Sequence, residues 1–163
     1  GGPEGSVTAT YLNTLDSNTN GTVNASAVTT ITGTVSELKT VYASSGITGL
    51  GNEAITVSAG SASAADLNTI DAATTSLVTA TAVTSLTGTT AELISLINNE
   101  GSSGNKVNLD GDFTVTITDA PTDAQLAIID AATTGTITIG GGGGPEGSVT
   151  ASYLNTLDRC LKS

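Results

Sequence analysis

Residues 11–38, "YLNTLDSNTNGTVNASAVTTITGTVSEL", recur without a gap as residues 66–93, "DLNTIDAATTSLVTATAVTSLTGTTAEL". At an offset of 55, Leu12 meets Leu67, Asp16 meets Asp71, Gly33 meets Gly88 and Leu38 meets Leu93. A partial third copy is "QLAIIDAATTGTITI" at 125–139, and "YLNTLD" at 153–158 begins a fourth. The phrase L-x-x-[IL]-D thus occurs at Leu12, Leu67, Leu126 and Leu154. A chain that repeats at this scale builds its core by stacking like units, not by enclosing one centre.

Each copy carries the same local signals. Before the phrase stands a stretch with Thr and Val in alternation ("SVTA", "AITVSA", "FTVTIT"), which suits a pleated strand. A Ser or Thr then offers a helix cap, as in "SAADL" and "DAPTDAQL". Leu67 and Ile70 lie three apart, on one helical face. The following "AATTG" or "SNTNG" predicts a left-handed helix end, and "TVNA", "LVTA" and "TITI" predict second strands. Val28, Ile31, Val35, Leu38 and Val41 then fall at three-four spacing, as do Val83, Leu86, Leu93 and Ile97. That spacing predicts a second helix in each copy, broken at Gly33 or Gly88 and recapped with Glu37 or Glu92 in the new first turn. The expected unit is strand, short helix, strand, broken helix. Stacked, such units give an α/β repeat solenoid of short parallel strands alternating with short helices, with right-handed crossovers. Leu12, Leu15, Leu67, Ile70, Leu126, Ile129, Val28, Ile31, Val83 and Leu86 are its expected buried residues.

The two ends also match. "GGPEGSVTATYLNTLD" (1–16) and "GGPEGSVTASYLNTLD" (143–158) differ only at Thr10 against Ser152. Pro3 and Pro145 stand 142 apart, which predicts a tandem period of that length. The expected organisation is a repeat domain over 1–139, a Gly-rich linker over 140–147, and the start of a next repeat over 148–163, serving as cap and tail. Duplication by design, to cap an open end, is the other source of such a match. The tail "RCLKS" holds Cys160, the one cysteine, and two of the four basic residues.

Composition narrows function. Fifteen acids against four bases give a net charge of −11, which opposes nucleic-acid binding. No apolar run reaches membrane-spanning length, so no membrane insertion is expected. Without a single His, Ser–His triads and His-metal centres are impossible. One cysteine excludes an intramolecular disulfide. The glycines at 140–144 lack the Lys-Ser/Thr of a phosphate loop and read as a joint. No enzyme and no cofactor are expected.

Three features could still bind something. In "NLDGDF", Asp110 and Asp112 flank a Gly and could supply Ca²⁺ oxygens. The sequence offers no complete cage around them, so a plain turn is the stronger reading. The repeated Asp16, Asp71, Asp130 and Asp158 could form an ion ladder, and Asn13, Asn68 and Asn155 an amide ladder. Bonds from each side chain to its own local backbone are the stronger expectation. Thr pairs at 114/116/118, 136/138 and 79/81 could order water as a flat Thr ladder does in ice-binding proteins. Their spacing is irregular, and Thr is a good strand residue in any case.

The phrases at 63–76, "TATAVTSLTGTTAEL" and "VYASSGITGLGNEAITV" resemble repeats of very large bacterial surface and secreted proteins, notably cyanobacterial ones. That resemblance covers roughly 6–139. It implies an extracellular or cell-surface, adhesin-like structural role. "AxxLNxLD" also resembles the "AAELNxLDG" repeats of phage tail fibres, over the helix phrase alone. The expected function is a non-catalytic spacer, sheath or adhesive stalk whose partner is itself, head to tail. The alternatives are a ligand-binding solenoid, for Ca²⁺ or ice, and a designed or trimmed repeat.

Overall fold

The structure, a computed structural model, describes residues 5–140. It is α/β, and every strand pairing is parallel. Strand β1 (Ser6–Thr8) leads into helix α1 (Ala9–Asn18), followed by β2 (Val23–Asn24) and β3 (Thr30–Gly33). Helix α2 (Val35–Ala43), β4 (Ile47–Thr48), β5 (Ala54–Val57) and β6 (Gly60–Ser63) come next. Then follow α3 (Ala64–Ala72), β7 (Val78–Ala80), β8 (Val83–Gly88) and α4 (Thr90–Asn98). The described chain closes with β9 (Val107–Leu109), β10 (Thr114–Ile117), α5 (Asp123–Ala132) and β11 (Ile137–Ile139).

The strands form three sheets, ordered β1-β3-β5-β7-β9, β11-β10-β8-β6 and β2-β4. The helices pack in chain order, each on the next. Inward-facing side chains line up across the strands. Val7, Ile31, Ile55, Val78 and Val107 are register partners in turn across the first sheet. Ala62, Leu86, Val115 and Ile137 are partners across the second. All of these but Val7 and Ile137 are buried, and with Leu12, Leu38, Leu67, Leu93 and Leu126 of the five helices they make one thin aliphatic core.

The helices start where their caps dictate. Thr8, Ser63, Thr34, Thr89 and Thr122 each accept a hydrogen bond from the N–H three residues on. The last three are full capping boxes, closed by Glu37, Glu92 and Gln125.

The caps at Thr34 and Thr89 fall as expected, but no broken helix precedes them. Ile31 lies on β3, Val83 and Leu86 lie on β8, and Val28 stands in the loop ahead of β3. "TITG" alternates inside and outside, and in "VTSLTG" a register shift at Thr84 lets Val83 and Leu86, three apart, both face inward from a strand; strand pairing thus wins over the coincidental three-four spacing. Of the ten expected core residues eight are buried. Leu15 is 37% exposed, on the outer side of α1, and Val28 is half-buried.

The expected left-handed helix ends are absent too. Thr19 and Thr133 cap α1 and α5 in extended conformation, and Ala73 caps α3 in the right-handed region. An extended exit feeds the chain straight into its next strand. Gly135 serves a different need: a Cβ there would lie 2.2 Å from the Phe113 carbonyl oxygen, so glycine lets two backbones touch. Gly60 has a positive φ of 139° and opens β6, where the chain leaves the first sheet for the second. The expected cap and tail at 148–163, with Cys160, Asn155 and Asp158, lie outside the described residues.

Candidate functional site

Asn13, Asp16, Asn68 and Asp71 bind neighbouring turns of the chain. Asn13 Nδ2 donates to the Glu37 carbonyl at 3.1 Å, and Asn68 Nδ2 donates to the Glu92 carbonyl at 3.0 Å. Each bond ties one helix to the next. Asp16 Oδ2 accepts from Ser44 Oγ at 2.6 Å, and Asp71 Oδ2 accepts from Asn99 Nδ2 at 2.7 Å. Ser44 and Asn99 are the C-caps of α2 and α4, so both aspartates fasten the end of the following helix. Thr74 Oγ1 and Thr133 Oγ1 donate back to the carbonyls of Glu53 and Phe113. Nothing in the sequence distinguishes these bonds from local ones, because short Asn and Asp side chains bond local and distant groups alike.

Asp71 is the electrostatically costly member. Burial raises its carboxyl above the usual range, and the Asn99 bond and nearby Lys106 offset this in part. Lys106 Nζ in turn donates to Asn99 Oδ1 at 3.2 Å. Asp71 Oδ1 is buried without a hydrogen-bond partner, which marks this clamp as under-satisfied. At the helix starts the reverse holds. Two bonds from Thr90 hold Asp119 below the usual carboxylate range, and bonds from Thr10 and Thr34 do the same for Glu37.

Glu53 is the one charged side chain fully buried among the described residues. Its carboxylate accepts from the Tyr42 hydroxyl, from Gly51 N at 2.9 Å and from Asn52 N at 3.1 Å. Burial and the facing carboxylate push the Tyr42 hydroxyl pKa far up, so that it remains a donor. This knot closes the loop ahead of β5. The sequence "GNEA" held no sign of it, since the partner Tyr42 lies eleven positions away.

Asp110 and Asp112 sit in the exposed turn between β9 and β10. No group of three or more potential metal ligands occurs among the described residues. A cleft of about 690 Å³ lies between α2 and the edge of β6, with Lys39, Ser61, Ser63 and Asp66 among its lining residues. Lys39 and Asp66 form an ion pair within it. Among the described residues β6 pairs with β8 alone, so one of its edges is without a strand there.

The outer faces of the two larger sheets are hydroxyl-rich. Thr8, Thr32, Thr56 and Thr79 are register partners along one row of the first sheet, which ends at Asn108. The second sheet carries two rows. Ser63, Thr87, Thr116 and Thr138 align in one, and Ser61, Ser85 and Thr114 align in the other, with Thr136 standing just ahead of β11. The irregular spacing of the Thr pairs in the sequence is absorbed by loops and helices, and the sheet restores the register. Thr79/Thr81 does not extend this pattern, because Thr81 lies past the end of β7.

No helix among the described residues is long and apolar enough to cross a membrane. No family model matches the chain, and no curated protein or solved structure matches it.

Proposed function

We propose that the chain is a non-catalytic structural segment of a large extracellular surface protein, a stalk or spacer built as an α/β solenoid that associates head to tail. The observation that carries this reading is the recurrence of strand pairings at the sequence offset. Val7 pairs with Ile31, and Ala62 with Leu86, both partners moved by 55. Val23 pairs with Ile47, and Val78 with Val107, the second partner a further five on. Such nearest-neighbour stacking is how a repeat protein gains stability without a large core. Clamps at Asn13, Asp16, Asn68 and Asp71 supply one-dimensional cohesion of the kind a load-bearing rod needs. The net charge of −11 favours dispersal in water and repels anionic surfaces. Among the described residues β1 and β11 each end a sheet with one edge unpaired, which suits contact between copies.

Two measurements test this. In small-angle scattering, chains carrying one, two and three periods of 142 residues should lengthen in proportion at constant cross-section; growth in cross-section would refute the rod. Light scattering over a concentration series should show end-to-end association of the full chain. A strictly monomeric full chain removes the head-to-tail part and leaves the rod standing.

A further inference from the structure

We propose that the outer face of the β6-β8-β10-β11 sheet binds ice. Its centre is five residues in register on three adjacent strands, Ser85 and Thr87, Thr114 and Thr116, and Thr138, with Thr136 just ahead of β11 beside them. They form a grid two columns wide, not a single stripe. Between the columns Leu86 and Val115 point inward and are buried, which pins the outward positions to the pleat.

The grid has the scale of hydrogen-bonded water. Neighbouring parallel strands stand about 4.8 Å apart, and alternate residues along a strand about 6.6 Å. In tetrahedral water with O···O contacts of about 2.75 Å, second-neighbour oxygens lie about 4.5 Å apart and the lattice repeats at about 7.3 Å along its axis. The better-matched distance runs across the strands, where the array is longest. The poorer match is met only once, between two columns, so its error does not accumulate.

Chemistry and charge agree with a neutral, hydroxyl-like lattice as occupant. Threonine presents a methyl that displaces loose water beside a hydroxyl that both donates and accepts. Thr114 Oγ1 donates to the Thr84 carbonyl at 3.2 Å, which fixes its rotamer and leaves its oxygen free to accept. The chain has fifteen acids, yet none stands on this grid. The intervals from β8 to β10 and from β10 to β11 differ, 29 against 22 residues, and the grid stays in register across both. The first sheet offers a built-in comparison. It has one row of four Thr that ends at Asn108, while its second row runs Ser6, Thr30 and then Ala54.

The test is thermal hysteresis and inhibition of ice recrystallisation by the full chain, with Thr116→Lys in the grid and Thr56→Lys on the other sheet. The full chain and Thr56→Lys should both shape and arrest ice, and Thr116→Lys should lose the effect while keeping the circular dichroism and melting curve of the parent. A folded full chain without hysteresis or recrystallisation inhibition overturns the proposal. So does equal loss in both variants, or adsorption to microcrystalline cellulose with none to ice. None of these outcomes bears on the rod-like stacking, which scattering measures separately.

Discussion

Glu53→Ala should be among the most damaging polar substitutions in this chain, and its cost follows from who is left unpaired. The carboxylate serves three donors: the Tyr42 hydroxyl and the amides of Gly51 and Asn52. Asn52 is exposed, so its amide regains water at little cost. Gly51 is only partly accessible, and the Tyr42 hydroxyl faces inward. A buried donor left without a partner costs about 1–3 kcal/mol. Losing one buried methylene adds about 0.8 kcal/mol. The sum is about 2–4 kcal/mol. Tyr42→Phe removes one bond to a charged group and should cost about 1.5–3 kcal/mol. The double variant should cost less than the two together, since each single change already breaks the same bond. Glu53→Gln should be milder than Glu53→Ala. Its oxygen can serve the two amides, while its NH₂ donates to a Tyr42 hydroxyl turned to accept. Urea unfolding of the full chain, followed by circular dichroism, measures all four. A loss below about 1 kcal/mol for Glu53→Ala, or strict additivity with Tyr42→Phe, would refute the account of Glu53 as the acceptor that closes this loop.

Leu67→Ala should cost about 2–5 kcal/mol, because the side chain is wholly buried in the helix layer, whereas Leu15→Ala on the outer side of α1 should cost under about 1 kcal/mol by the same unfolding assay. Gly135→Ala should destabilise by about 1–3 kcal/mol through backbone displacement at Phe113, and Gly21→Ala, whose nearest neighbour is a Thr19 hydroxyl 3.6 Å away, should be near neutral. Asp71 has a raised carboxyl pKa in the folded chain, so the fold holds its proton to higher pH than the unfolded chain does. Its contribution therefore falls as pH climbs from the ordinary value of 3.8 through the raised one. Asp119 and Glu37 are depressed and act oppositely, losing their contribution as pH falls through their lowered values. Asp71→Asn should accordingly steepen the rise of melting temperature as pH climbs above 3.8, and an unchanged slope would count against burial as the cause. Chelator should leave the melting curve of the full chain in place; a drop of several degrees with EDTA would show that the Asp110–Asp112 turn holds a cation after all.

Much of the fold was legible in single residues. The L-x-x-[IL]-D helices at Leu12, Leu67 and Leu126, the caps at Ser63, Thr34 and Thr89, and the strands at 6–8 and 137–139 follow from local chemistry, and the structure has them where local chemistry puts them. The misreading of 28–41 came from two periods written into one stretch. Ile31, Val35 and Leu38 share a helical spacing, yet Ile31 belongs to a strand and only the other two to a helix. Thr30, Thr32 and Gly33 carried the contrary signal. The clamps and the Glu53 knot were not legible, because each joins residues far apart in the chain through a geometry that exists only after stacking. The hydroxyl grid was hidden for the opposite reason. Its residues were visible, but unequal loops masked a register that only the paired strands restore.

The proposed solenoid also explains why the cleft beside β6 exists. β5 pairs with β3 on one side and β7 on the other, through Ile55 with Ile31 and Val78. β10 is placed in the same way, with β8 on one side and β11 on the other, through Val115 with Leu86 and Ile137. In each case the last strand of one two-helix unit pairs with the first strand after the next unit's opening helix. The stack therefore steps sideways by one strand at each junction. After β5 the step leaves β6 to begin a second sheet, with no strand on its free edge among the described residues. After β10 no strand stands in that place: "TDAPT" runs directly into α5, and Pro121 could not donate to a ladder there. The step that opens the cleft at β6 is also what allows β8, β10 and β11 to lie side by side. The hydroxyl grid and the cleft are thus two consequences of one offset in stacking, and a change in the length of the 58–60 corner should alter both together.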